Sequence, residues 1–284
     1  MNKACPGGDS PVEKSPAFKE LMEVIAGIAR GRYSDRIMAL TKDGQPQAIR
    51  LIAEAMAMMM VKVEAREFRL EQLNHDLRLN ILKTVTAIAH ALGARDPYCE
   101  GHAQRVGDLA ERLAQRIGLS DEEVEHVRIA GVLHDIGKIG FSDGLLTNED
   151  THLNDEFKKE IREHPVRAAA ILEGLDFLGP VVAYVLSHHE RMDGQGYPHG
   201  LLGDEIPLGA RIIAVADCFD AINTDRPYQK GKCEKDALAI LGSLAGSALD
   251  QELVAAFTKM MEACDQGRRE NGARPGDPGF EVER

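Results

Sequence analysis

AGVLHDIGKIG, residues 130–140, is an apolar helical run that ends on a histidine and an aspartate side by side. Neighbours on a helix diverge by about 100 degrees, so His134 can face one metal ion while Asp135 leans toward a second. Lys138 follows four residues after His134 and three after Asp135, which sets its ammonium on the same face. A lysine beside metal ions makes sense when an anion such as a phosphate shares the space.

Outward from this stretch the same pattern recurs. VVAYVLSHH (181–189) is a second apolar helix, and it ends on the pair His188-His189. RIIAVADCFDAI (211–222) carries Asp217 within an apolar helix, where an unpaired carboxylate is costly to bury. GHAQRVGDLAERLA (101–114) contributes His102, and REHPVRAA (162–169) contributes His164 at an expected helix junction. Any one of these histidines reads most simply as a hydrogen-bonded or surface residue. Their gathering at the ends of apolar helices is what points to metal. Five histidines and two aspartates without thiolate suit Fe, Mn or a similar ion better than structural zinc, and two ions are the economical count.

The fold class follows from the same periodicity. Helices are expected at Leu82–Ala94, His102–Ile117, Asp121–Asp135, Asn154–Glu163, Pro165–Leu172, Val181–His189, Leu208–Asp225, Glu234–Gly242 and Gln251–Ala263. Ser120 followed by Asp121, Glu122 and Glu123 is helix-start chemistry. The result is an all-α domain, with turn-rich segments at Asp143–Asn154 and Asp193–Pro207. No Gly-rich phosphate loop and no GxSxG element is present, which sets those enzyme classes aside.

Composition limits the partners. The 284 residues are 44% apolar, and 46 acidic against 34 basic residues give a formal charge of -12. That charge repels nucleic-acid backbones and anionic membrane surfaces, so no polymeric nucleic acid is expected as a partner. A small anionic substrate then needs local cations or metals. The five cysteines lack paired spacing, as in a reduced cytoplasmic protein, although Cys99 and Cys218 lie beside candidate site residues. The apolar run Ala55–Val61 falls far below the ~18 residues of a membrane span, and the N-terminus lacks the core of a secretion signal.

Four regions are expected: a disordered N-terminus (1–16), a helical region (17–81), the catalytic domain (82–264) and a flexible tail (265–284). In the second region a helix with Leu21, Ile25, Ile28 and Ala29 stops at Gly31, and Thr41–Gln47 reads as a connector. A longer helix starts near Ala48 and carries Ile52, Met56, Met59, Val63, Leu70, Leu73, Leu77 and Ile81 at steps of three and four. That is a coiled-coil seam through which a homodimer would form, or else an amphipathic helix folding back on the chain's own core. Residues 18 to about 75 resemble a divergent HAMP module, which implies a parallel dimer that passes helix repacking to the following domain.

His102, His134-Asp135 with Gly137 and Lys138, His164-Pro165, His188-His189-Glu190, Asp193-Gly194, Gly196-Tyr197-Pro198, Arg211, Asp217 and Arg226-Pro227-Tyr228 occur in an order that resembles the HD-GYP phosphodiesterases, a branch of the HD superfamily. The resemblance spans roughly residues 82 to 263. It implies an HD-type helical bundle with Asp135 bridging two metals. His102, His134 and Asp217 would complete one coordination sphere and His164, His188 and His189 the other. A third metal in some members uses a glutamate four residues before the first histidine. Tyr98 stands there in this chain, so two ions are expected, with Glu100 nearby at another helical phase.

Implied too is metal-dependent hydrolysis of cyclic di-GMP to pGpG, and onward to GMP, in bacterial second-messenger signalling. Lys138 would neutralise charge growing on the phosphoryl group or protonate the leaving oxygen. In RMDGQGYPHG (191–200), Gly194 and Gly196 permit positive φ, Pro198 fixes its own φ, and Tyr197 offers an aromatic face with a hydroxyl. In the family this loop is linked to substrate recognition and to docking of diguanylate cyclases. Arg226 would contact a phosphate or guanine edge. Gln229 stands where a basic residue is common, with Lys230 next, and Asn148–His152 departs from the usual KPG segment. Those departures keep other substrates open, such as cyclic GMP-AMP or a linear nucleotide, beside a non-catalytic sensor. His75, His90, His126, His152 and His199 are expected on the surface or in helix packing.

Overall fold

The computed structural model describes residues 15–270 apart from 31, 33, 96–100, 147–153 and 226–229. All regular structure among them is helical, with two isolated bridges, Asp193 to Leu202 and Ala245 to Leu249. Two compact units divide between Asn80 and Ile81.

In the first unit α1 (Pro16–Ile28) is capped by Ser15, whose Oγ accepts the Phe18 N–H at 3.1 Å, with Pro16 pre-set for the first turn. Short α2 (Arg36–Leu40) follows, then α3 (Gln47–Arg95). Leu21, Val24, Ile37, Leu40, Ile49, Ala53 and Met60 form a small core. Beyond it, residues 64–80 of α3 are exposed on every side, Leu70, Leu73 and Leu77 included.

Two expectations change here. The helix expected to stop near Ile81, with a new one from Leu82, is a single 49-residue element. No Gly or Pro lies between Gln47 and Leu92 to interrupt it. The five residues of α2 are too few to show a period, so sequence periodicity passed over them.

The second unit comprises α4 (His102–Arg116), α5 (Asp121–Leu133), α6 (Asp143–Leu146), α7 (Asp155–Leu172), α8 (Val181–Ser187), α9 (Leu208–Asn223), α10 (Glu234–Leu244) and α11 (Gln251–Glu270). Its core draws on Val106 and Leu113 of α4, Val127 and Leu133 of α5, Leu172 of α7, Val185 of α8 and Ile212, Ile213 and Phe219 of α9. Phe257 of α11 closes it, its ring 5.0 Å from that of Phe219. Ser120 and Glu123 form a reciprocal capping box at the start of α5. Helices α4 and α5 meet at Gly107 and Gly131, where a Cβ on Gly131 would sit 2.9 Å from the Gly107 Cα. Side chains of any size would separate the two helices that present His102 and His134.

Three boundaries differ from expectation in ways that shape the site. Helix α5 ends at Leu133, not Asp135, and a 3-10 turn, Ile136–Gly140, takes over. Helix α7 runs through Pro165 in one piece where two helices were expected. Helix α11 continues to Glu270, so residues 265–270 of the expected tail are helical, and 271–284 lie outside the described residues. The expected disordered start, 1–16, also lies outside except for Ser15 and Pro16, which begin α1.

Candidate metal centre

Helix ends supply carbonyls without an intrahelical partner, a proline inside a helix frees another, and three histidines use such carbonyls. His134 caps α5 and its Nδ1 lies 2.7 Å from the Gly131 carbonyl. His188 caps α8, its Nδ1 2.6 Å from the Val185 carbonyl. His164 lies inside α7, yet the next residue is Pro165, which has no N–H to give the Ile161 carbonyl four residues back. The His164 Nδ1 takes that carbonyl at 2.6 Å. A carbonyl only accepts, so each ring carries its proton on Nδ1 and turns Nε2 to the interior.

His102 begins α4, where a helix end offers N–H groups and no spare carbonyl. Its Nδ1 pairs instead with Asp220 Oδ2 at 2.7 Å. Arg105 holds that carboxylate with two bonds, Nε to Oδ1 at 2.6 Å and Nη2 to Oδ2 at 3.0 Å. His102 is thereby aimed by a neighbour on α9, one turn beyond Asp217.

The seven residues converge. Ring centroids are 5.3 Å apart for His102 and His134, 5.0 Å for His134 and His188, 5.2 Å for His164 and His188, and 4.0 Å for His188 and His189. Ligand-type atoms of His164, His188 and His189 lie within 4.8 Å of one another, as do those of His102, His134 and Asp217. Asp135 lies between the sets. Its Oδ2 is 3.3 Å from His134 Nε2, and its Oδ1 is 3.4 Å from His164 Nε2.

Lys138 donates to Asp135 Oδ2 at 2.5 Å. The 3-10 turn makes this possible, since it eclipses residues three apart. Lys138 therefore has a carboxylate partner and does not depend on a bound anion to be tolerated there. Gly137 lets the turn lie against α7, for a Cβ there would stand 2.0 Å from the His164 carbonyl oxygen.

Charge in the cluster is polarised. Burial favours a neutral Asp135, but His134, Lys138 and His164 hold it well below the usual carboxylate range. Asp217 is likewise depressed, since His102 and His134 outweigh its burial. Burial pushes the His164 imidazole down to about 4, against the pull of Asp135. His188 is driven far down by burial and by the neighbouring imidazoles. His102 goes the other way: burial opposes its charge, but Asp217 and Asp220 raise it to about 9.

The donor set fits a cation. His164 and His188 are neutral with protons committed to backbone carbonyls, so both Nε2 atoms present lone pairs, and they stand 3.3 Å apart. Two facing lone pairs repel unless a Lewis acid lies between or beside them. Two half-buried carboxylates, Asp135 and Asp217, next to these nitrogens complete a set of N and O donors suited to divalent ions.

The Gly-Tyr-Pro loop packs on this cluster. Glu190, buried directly after His189, accepts the backbone N–H groups of His199 at 2.7 Å and of Gly200 and Leu201 at 3.1 Å. Gly196 passes so close that a Cβ would lie 2.4 Å from the Arg191 nitrogen. Tyr197, joined to Pro198 by a cis bond, stacks on His189 at 4.8 Å with a 32 degree tilt, and the Arg162 guanidinium lies 5.6 Å from its ring centre.

Other expected residues fare differently. Arg226, Tyr98, Glu100, Cys99 and the loop 148–152 lie outside the described residues. Lys230 is exposed. Cys218 is half-buried beside Asp217, its thiol pushed up to about 11 by burial and that carboxylate. Arg211 is structural: it binds Asp204 and Asp250, and Asp250 in turn caps α11. Asp220, Arg105 and Glu190 were not expected in roles at the site. A usable signal existed for two of them, since Asp220 and Arg105 follow Asp217 and His102 at one helical turn.

Comparison with known proteins gives the family. Residues 86–253 match the family described as HD domain. The chain belongs to that family. It carries the His134-Asp135 and Gly196-Tyr197-Pro198 motifs on which the resemblance to the HD-GYP branch rests. Among family relatives it is similar to the cyclic di-GMP phosphodiesterase response regulator RpfG of Xanthomonas campestris, 36% identical over 68% of this chain and 52% of that one. It is similar to a cyclic di-GMP phosphodiesterase of Thermotoga maritima, 36% identical over 75% of this chain and 57% of that one. It also resembles 3'3'-cGAMP-specific phosphodiesterase 3 of Vibrio cholerae, 36% identical over 62% of this chain and 38% of that one. The chain thus spans about half or less of the length of these relatives. A crystal structure of a cyclic GMP-AMP-specific phosphodiesterase of V. cholerae shares the helical fold, with TM-score 0.52 and 20% identity over 68% of this chain and 54% of that one. Among the described residues no helix is long and apolar enough to cross a membrane.

Proposed function

We propose that the chain is a metal-dependent phosphodiesterase that opens cyclic di-GMP to pGpG and carries it on to GMP. The observation that carries this is the placement of Asp135, whose two oxygens face separate histidine sets at 3.3 and 3.4 Å. Asp135 would hold two divalent ions, Fe or Mn, with His102, His134 and Asp217 on one and His164, His188 and His189 on the other. When bound, such ions lower the pKa of water and offset charge on a phosphate.

The chain's own groups do the rest. The backbone carbonyls at 131, 161 and 185 keep three Nε2 atoms turned inward. The Lys138 ammonium, anchored on Asp135, neutralises charge on the phosphoryl oxygens or gives a proton to the departing ribose oxygen. Tyr197, stacked on His189, brings the Gly-Tyr-Pro loop against the centre. Incubation of the Mn- or Fe(II)-loaded chain with cyclic di-GMP under reducing conditions tests this: pGpG should appear first and GMP after it, and no turnover with either ion overturns the reading. Elemental analysis after anaerobic purification should find two ions per chain.

A second substrate, cyclic GMP-AMP, is favoured by the relative named for it, which is as similar to this chain as the cyclic di-GMP enzymes are. Relative hydrolysis rates on the two dinucleotides decide between them. The exposed Leu70, Leu73 and Leu77 support a homodimer through α3, tested by light scattering of the whole chain. A diguanylate cyclase docking on the Gly-Tyr-Pro loop and a cytoplasmic location complete the proposal.

A further inference from the structure

A chain with a formal charge of -12 needs a cationic approach to receive a dianionic substrate. Next to the metal centre lies an open cavity of about 660 Å³, lined by Asp155, Lys158, Lys159, Ile161, Arg162, Glu163 and Tyr197. All but Tyr197 come from α7, the helix that also delivers His164. Much of its charge is already engaged. Lys158 pairs with Asp155 at 3.1 Å, Glu163 binds Arg167 at 2.9 Å, and Lys159 lies 3.9 Å from Glu163. Arg162 is placed otherwise: its guanidinium lies over the Tyr197 ring, and that ring stacks on His189 of the metal centre. A guanidinium seated over an aromatic face spends none of its N–H donors on that contact, which leaves its fork for a phosphate with two parallel bonds.

We infer that Arg162, seated on Tyr197, receives the second phosphodiester of a cyclic dinucleotide while the first lies at the metal centre, with the α7 cavity taking the distal half of the ring. This rests on the functional reading above and adds a specificity residue to it. The two phosphates of such a ring are covalently tied, so a group that binds the far one raises the local concentration of the near one without touching the reacting bond. A substrate with one phosphodiester gains nothing from Arg162. Discrimination between the two kinds of substrate should therefore track this side chain.

The test compares wild type with Arg162→Ala and Arg162→Lys in the metal-loaded full chain, on cyclic di-GMP and on bis(p-nitrophenyl) phosphate. In Arg162→Ala the ratio of kcat/KM for the dinucleotide to that for the small diester should fall about tenfold, with the loss in KM. Arg162→Lys should recover only part of it, because an ammonium does not reproduce the fork. A double variant, Lys158→Ala with Lys159→Ala, should shift the ratio less than twofold to threefold, and a larger loss than in Arg162→Ala would overturn the choice of residue. Unchanged ratios in Arg162→Ala overturn the inference alone. Wild type that cleaves the small diester but neither cyclic dinucleotide overturns the functional reading together with it.

Discussion

The metal centre and the middle of α3 are opposite solutions to the same demand for partners. At the centre His102, His134, His164 and His188 each have a second residue fixing their orientation, and Asp135 touches both histidine sets. Along residues 64–80 of α3, Leu70, Leu73 and Leu77 stand in solvent with nothing of the unit's core against them. One region is finished within a single chain. The other leaves Leu70, Leu73 and Leu77 exposed among the described residues.

If the centre is complete in one chain, damage to it should be graded by how directly a residue holds the ions. Asp135→Ala should have the largest effect: metal content falls and hydrolysis of cyclic di-GMP drops below detection, while helical circular dichroism persists. Two ions per chain in that variant would refute the bridging role. Lys138→Ala should keep both ions and slow kcat by about 10²–10³-fold, as loss of one charge-stabilising group does. Asp220→Asn removes a carboxylate that touches His102, its Arg105 clamp and the Thr224 hydroxyl, so metal affinity by competition with a chelator should weaken about 10–100-fold. Gly137→Ala forces a methyl against the His164 carbonyl, and denaturant unfolding should record a loss of about 1–3 kcal/mol. Leu73→Asp with Leu77→Asp should leave kcat within twofold of wild type. Those two changes should convert the particle seen by light scattering from dimer to monomer, and a wild type already monomeric would remove the contrast between the regions.

Much of the site was legible because its donors sit where sequence shows them. His134-Asp135 and His188-His189 end apolar helices, and the pairing of two polar residues after an apolar run is visible without coordinates. Pro165 was read as a break because the missing N–H is a local fact. That the helix continues, with His164 filling the vacant bond of Ile161, depends on packing that holds the ring in place. The tight turn after Asp135 was missed for a similar reason. A helix and a 3-10 turn share nearly the same apolar period over five residues, and Gly137 pressed on α7 selects between them.

By itself the sequence determined the helical class and singled out seven candidate donors and the apolar positions of α3, since each is a property of residue type and spacing along the chain. Tertiary structure alone decided that Asp220 and Arg105 aim His102, that Asp135 stands between two donor sets, and that Arg162 lies over Tyr197. These are contacts between residues far apart in the chain, some more than a hundred positions apart. No spacing rule reaches that far, because which helix faces which is set by the shape of the packed core.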